Sequence, residues 1–351
     1  MLQSFFIIHK SGICYFSKNL QGDTLDEGLT VGFASSVSDF TQTLVGEDVR
    51  ELISTKSRFT FKEYGDFVFV AYNDLLDSSF LVQATLGDIC GICEFLFGSY
   101  EFWDEDTFNL SGAQDIISFY FSKVMEPTVA VGGVNQVHLG MNQQTFDRLD
   151  KLLAYFESQD GICGNGTMLV IGESVLYSRM ALSETRMVMQ FIRARPLDGS
   201  SVRHTPIFLN GSWHAMYTIR IQNYLLVVKA RLDATFTSIQ KRVEELRASL
   251  IQSRLEIPTE EPPILLRLYA KRETLAMLYH NIKTGHVIFP QLRPAPEVQQ
   301  REILNSFWAF FGDASAAMRI PGMTEFSLHR DQYRFYSRCV SAILHMICVH
   351  D

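Results

Sequence analysis

The chain has 351 residues, 47% of them hydrophobic and 20% charged, an ordinary globular balance with room for two or three domains. Its net charge is −8 and its pI about 5.6, which argues against a protein that grips a nucleic-acid backbone through a basic face. The N-terminal run Leu2–Ile8 meets His9-Lys10 at once and has no basic residue before it, so it reads as a buried first strand rather than a signal peptide.

In chain order, residues 3–9 and 13–17 predict a hairpin turning at Lys10-Ser11-Gly12. Thr24–Leu44 places Leu29, Phe33, Val37, Phe40 and Leu44 at helical spacing, with Asp23 as N-cap and Gly46 as stop. Strands follow at about 49–54, 57–63 and 67–72, and a helix from Ser79 to Phe97 closes the unit. An acidic, aromatic loop (Glu101–Phe108) leads to a helix at Ala113–Met125, ended by Pro127. The connector over 127–164 holds a Gly132-Gly133 break, a short apolar piece at Val137–Leu139, and a helix carrying Phe146, Leu149, Leu152, Leu153 and Phe156.

The order then recurs. Met168–Ile171 and Val175–Tyr177 flank the turn Gly172-Glu173-Ser174. A helix over Met180–Arg195 bears Met180, Met187, Phe191 and Ile192, and strands are expected at Thr205–Leu209, Trp213–Ile221 and Tyr224–Lys229. The helix Phe236–Ser253 turns Ile239, Val243, Leu246, Leu250 and Ile251 inward. Glu256–Pro263, rich in proline and acid, is the clearest boundary in the sequence. A third unit follows: an apolar run at Ile264–Leu268, a hairpin (Leu275–Tyr279, turn Lys283-Thr284-Gly285, Val287–Phe289), a proline-rich loop, and a helix Glu297–Phe311. Its apolar face is Ile303, Leu304, Phe307, Trp308 and Phe311, and strands at about 324–328, 332–340 and 342–349 end it. The expected class is thus α/β of the α+β kind, with three tandem antiparallel five-stranded sheets and flanking helices at 1–126, 165–255 and 264–351. The third has no closing helix, so one face of its sheet should lack cover within that unit.

The chemistry expected of an enzyme is absent from the sequence pattern. There is no G-x-x-x-x-G-K-[ST], no strand-linked G-x-G-x-x-G and no H-E-x-x-H, and Gly172-Glu173-Ser174 lacks the final glycine of a nucleophile elbow. Cys90-Gly91-Ile92-Cys93 matches C-x-x-C but sits late in an apolar helix, where a thiolate finds no helix N-terminus to stabilise it. Six cysteines fall mostly in apolar runs, which suits reduced thiols. No cofactor or metal is expected, since the nine histidines are scattered without an i, i+4 pair. No window holds about 18 uncharged apolar residues, so no membrane span is expected.

The Ser79–Phe97 helix is unusual in carrying two apolar stripes. Val82, Leu86, Ile89, Cys93 and Leu96 form one; Leu81, Thr85, Ile92 and Phe95 form the other, which is more than a helix on one sheet requires. Either Ala113–Met125 covers the second stripe, or Leu81, Ile92 and Phe95 face a partner chain.

The β-β-α-β-β-β-α order is that of the longin fold, and three such units in one chain resemble the tri-longin family. That family contains the Mon and Ccz vacuolar-fusion proteins, the Hermansky–Pudlak syndrome proteins, and the planar-polarity proteins Fuzzy and Inturned. The resemblance is carried by Gly166–Ser178 with the strands His204–Leu209 and Tyr217–Lys229, and by Leu275–Gln291 followed by Gln299–Phe311. The third-unit pattern looks most like Fuzzy, and the connector Leu139–Phe156 like Ccz-type chains. The resemblance implies a non-enzymatic subunit that pairs with a second tri-longin chain, binds a Rab-type small GTPase and promotes guanine-nucleotide exchange in membrane trafficking. It also implies a cytoplasmic protein recruited peripherally to endolysosomal or ciliary-base membranes. A Fuzzy-like role in planar polarity and ciliogenesis, or a longin scaffold without exchange activity, is the alternative. No residue that contacts the GTPase follows from it.

Overall fold

The computed structural model describes residues 2–19, 25–75, 77–109, 113–122, 143–172, 174–197, 202–221, 223–252, 274–281, 286–288, 296–330, 332–341 and 343–350. Asp23, the connector over 127–142, the Glu256–Pro263 boundary, the run Ile264–Leu268, the turn Lys283-Thr284-Gly285 and the proline-rich loop before Glu297 lie outside them. The described chain forms three antiparallel five-stranded sheets with eight α-helices. It divides into two compact units: residues 1–132 with 269–283 and 288–351, and residues 133–268 with 284–287. The first and third sheets therefore share a unit.

The first sheet comprises β1 (Leu2–His9), β2 (Cys14–Asn19), β3 (Glu51–Ile53), β4 (Ser57–Tyr64) and β5 (Phe67–Asp74), ordered β2-β1-β5-β4-β3. Strand alternation divides its residues between two faces. Phe6, Ile8, Phe61, Val68 and Val70 meet helix α1 (Glu27–Val45), whereas Phe5, Ile7, Phe69 and Ala71 are buried on the other side. Asp26, rather than Asp23, caps α1 by accepting from the Leu29 amide at 2.9 Å, and Gly46 ends it. Helix α2 (Ser79–Phe97), capped by Ser78, packs on β4 and β5. The turn between these strands needs Gly65, whose φ is +58° and whose added Cβ would lie 2.2 Å from the Tyr100 ring. Of the acidic loop, Trp103 and Phe108 fold inward: their rings lie 5.1 and 6.2 Å from that of Phe67. Glu105–Asn109 (α3) and Ala113–Ser122 (α4) complete this half, with Ile116 and Ile117 buried.

The third sheet has β11 (Thr274–Asn281), β12 (His286–Ile288), β13 (Glu325–Arg330), β14 (Tyr333–Val340) and β15 (Ile343–His350), ordered β12-β11-β15-β14-β13. Helix α8 (Glu297–Ala317) covers one face with Phe307, Phe310, Phe311 and Ala314, and the Phe310 and Phe335 rings stand 5.1 Å apart. This helix runs six residues beyond the predicted end at Phe311 because Ala314 continues its buried face. Phe311 also reaches the Phe80 ring of α2 at 5.5 Å, which joins the two halves of the unit. On β14 the alternation is strict: Tyr333, Phe335 and Ser337 are buried, while Arg334, Tyr336 and Arg338 are exposed on the face away from α8.

The second unit holds α5 (Gln143–Glu157), β6 (Ile162–Ile171), β7 (Ser174–Ser178), α6 (Leu182–Ala194), β8 (Val202–Leu209), β9 (Ser212–Ile221), β10 (Tyr224–Ala230) and α7 (Phe236–Gln252). Its sheet order is β7-β6-β10-β9-β8. Helices α5 and α7 seal one face through Leu149, Leu153, Phe156, Ile239, Val243 and Leu246, set on Leu169, Tyr217, Ile219, Leu226 and Val228. Ile251, expected inward, is exposed: in the last turn Leu250 keeps the inward position against the core, and Ile251, about 100° further round the helix, points outward. The connector helix α5 thus belongs to the core, and β6 starts at Ile162, inside the segment expected to be connector. A buried carboxylate fixes that junction: Glu157 accepts from the Gly166 and Thr167 amides at 2.9 and 3.0 Å and from the Thr167 hydroxyl at 2.6 Å. On the opposite face, Lys229 of β10 donates to Glu184 of α6 at 2.7 Å, both side chains being nearly sealed from water.

Candidate partner interface

The residues expected to face a partner do not. Leu81, Ile92 and Phe95 are all buried within the chain at 1% exposure or less, so they are core positions in this structure. Besides β4 and β5, helix α4, helix α8 through Phe311, and Tyr100–Phe102 pack against α2, and residues of both its apolar stripes are buried within the chain. By length and composition α2 could cross a membrane, yet the apolar side chains that qualify it are spent on this packing.

The groups able to do chemistry are similarly quiet. Cys90 and Cys93 are buried, and burial pushes the Cys90 thiol up to about 12, which leaves it protonated and unreactive. The Cys163 sulfur lies 3.7 Å from Nδ1 of His214, a pairing that spacing in the sequence could not reveal. Burial raises that thiol and lowers that imidazole, so both are held neutral rather than as the thiolate–imidazolium pair a nucleophile needs. Among the described residues no group of three or more His, Cys, Asp or Glu side chains could hold a metal ion.

The distinctive feature is the outer face of α1. Of the five apolar residues that mark this helix in the sequence, Leu29, Phe33, Val37, Phe40 and Leu44, four face outward: Leu29 is 75% exposed, Phe33 40%, Phe40 65% and Leu44 66%. Only Val37 packs on the sheet core. The helix instead sets its small side chains, Thr30, Val31, Ala34 and Ser38, against the sheet. Small residues let the helix lie close to the strands, and a hydrogen bond from the Ser38 hydroxyl to Glu63 at 2.7 Å fixes its rotation. The larger apolar stripe is thereby turned to solvent over the 16 residues Leu29–Leu44, a length of about 24 Å.

β3 is one of the two edge strands of the sheet; its Leu52, with Val49, packs on the same core as α1, whereas the exposed Ile53 lies on the opposite face. Phe33 is held by the Phe59 ring at 5.4 Å. No lysine or arginine lies on α1; Glu27 and Asp39 lie on it, and Glu47 and Asp48 follow its C-cap. The outer face of α1 is thus a stripe of exposed Leu and Phe side chains with an acidic fringe, more contiguous apolar surface than single exposed residues present. No protein-family model matches the sequence, and comparison with curated proteins finds no significant match.

Proposed function

We propose that this chain is a non-enzymatic subunit of tri-longin type, which pairs with a second longin-like chain through the outer face of α1. The assembled pair then binds a Rab-type small GTPase and promotes release of its nucleotide. The observation that carries this reading is the exposed stripe Leu29, Phe33, Phe40 and Leu44 beside the edge strand β3. The order of two strands, helix and three strands, present in all three sheets, supports the longin assignment. Exchange proceeds by deforming the loops that hold the nucleotide, so the exchanger supplies binding energy and shape rather than a nucleophile or cofactor. The acidic fringe of the stripe calls for a partner face that is apolar with basic residues at its rim.

Release of a fluorescent GDP analogue from a panel of Rab-type GTPases tests the reading. The chain with its partner should accelerate release from one member, and the chain alone should do so poorly. Unchanged release across the whole panel with the assembled pair would overturn the exchange role and leave a longin scaffold.

A further inference from the structure

The edge of a sheet leaves backbone amides and carbonyls unpaired, and proteins blunt such edges with short strands, bulges, proline or lysine. Among the described residues, five of the six edge strands carry such a device. β3 and β12 have only three residues each, and β2 carries Lys18 and a register shift against β1. β7 meets β6 across a register shift, and β8 contains Pro206. β13 has none of these. Its six residues run in unbroken register along β14, with no proline, glycine or lysine, and each is at least partly exposed.

The ladder with β14 fixes which backbone groups are open. The Cys339 amide donates to the Thr324 carbonyl at 2.8 Å, so the hydrogen-bonded pairs are Thr324 with Cys339, Phe326 with Ser337 and Leu328 with Phe335. Glu325, Ser327 and His329 therefore turn their amides and carbonyls to the free edge. That set of groups is complementary to itself. When two copies of β13 run antiparallel about Ser327, Ser327 meets its own counterpart and Glu325 meets His329 of the second copy, at both ends, with about six backbone hydrogen bonds. The side chains agree with this register. A carboxylate accepts from an imidazole N–H, and Glu325, which holds Arg338 at 3.2 Å, has lone pairs left for His329 of the second copy. On the face covered by α8, Phe326 falls opposite Leu328 of the second copy. Both are half-buried, and Phe326 stacks on Phe310 at 5.6 Å, so an added strand completes their cover. A register two residues away in either direction loses both pairings.

We propose that two copies of this chain join edge to edge through β13, making one continuous antiparallel sheet from the five strands of each third sheet. The occupant is a second copy because one register satisfies the open backbone groups, the Glu325–His329 pair and the Phe326–Leu328 pair together, and symmetry supplies each side-chain pair twice. The proposal stands on β13 alone and does not depend on the pairing through α1 or on the GTPase.

Sedimentation equilibrium of the full chain, purified by itself, tests it over a concentration series. The mass should rise from 40.0 kDa towards twice that value. Ser327→Lys sets two ammonium groups opposite each other at the symmetry axis and should weaken association about tenfold or more. Ser327 is exposed, so the melting transition of that variant should stay unchanged. Phe40→Asp, on the outer face of α1, should leave this self-association as it is. Cysteines read the register under mild oxidation. At Ser327→Cys the paired Cα atoms lie about 5.5 Å apart, within disulfide reach, and a covalent dimer should form. At Glu325→Cys they lie about 14 Å apart, and crosslinking should not exceed that of the wild type. Three results would overturn the proposal: a mass that stays at 40.0 kDa up to about 0.1 mM, association unchanged by Ser327→Lys, or no more crosslinking at position 327 than at 325. Association lost in Phe40→Asp and kept in Ser327→Lys would overturn it too, by placing self-association on α1.

Discussion

Replacing Phe40 with aspartate separates a partner surface from a core more cleanly than any other change in this chain. Phe40 is 65% exposed in the middle of α1, so its loss removes little internal packing, and aspartate has a helix propensity near that of phenylalanine. The folded chain should therefore keep its melting transition, within about 0.5 kcal/mol of stability. Burying a whole phenylalanine is worth about 1.5–3 kcal/mol, and two thirds of that, about 1–2 kcal/mol, is still to be gained at this position when a partner covers it. A carboxylate placed there without a counterion adds a desolvation cost of several kcal/mol. A total of about 4 kcal/mol corresponds to roughly a thousandfold weaker pairing. Titration calorimetry against the partner, with a thermal melt on the same preparation, measures both quantities. A variant that melts like wild type and still pairs at wild-type strength would refute the assignment of α1. A variant that unfolds would show that Phe40 belongs to the core.

Ile92→Asp should behave in the opposite way: a charge forced into the buried side of α2 should abolish the cooperative melt of the isolated chain, whatever the partner does. Gly65→Ala should destabilise by about 1–3 kcal/mol, seen as a lower urea midpoint, because the turn demands a positive φ and the new methyl meets the Tyr100 ring. Truncating Glu184 to alanine should cost about 3–5 kcal/mol by leaving the Lys229 ammonium buried without its carboxylate, and Glu184→Ala with Lys229→Met together should cost less than that. Burial, then the Asp74 carboxylate, raise Asp77 to about 7 against the opposing pull of Arg58. Between about pH 4 and pH 7 the folded chain then holds a proton that the unfolded chain has lost, so this group's contribution to stability falls as pH rises through that window. Asp77→Asn should flatten that slope in melts taken from pH 4 to pH 8.

Periodicity carried most of the fold. Strand and helix positions in all three sheets follow from alternation and from the turns at Gly12, Gly65 and Asn210-Gly211, and burial of Phe5 to Ile8 follows from their run. It could not say which side of a helix meets the sheet. In α1 the strongest apolar stripe, Leu29 to Leu44, is the outer one, because Thr30, Val31, Ala34 and Ser38 allow a closer approach to the strands and carry a weaker hydrophobic signal. In α2 the converse holds: a stripe that looked surplus is consumed by the chain's own core. The α8 extension to Ala317 rests on small residues that periodicity also weights lightly. The buried pairs were out of reach, since Glu184 and Lys229 lie 45 residues apart and nothing local links them. The same is true of Cys163 and His214, 51 residues apart.

The most direct measurement of the central claim is a photocrosslinker placed at position 40 of the full chain in its native cell, with the crosslinked protein identified by mass spectrometry. The account predicts one dominant adduct, to a chain that itself contains the two-strand, helix, three-strand order, and loss of that adduct when Leu29 and Leu44 are changed to aspartate. No adduct at position 40, or adducts only within its own chain, would contradict it.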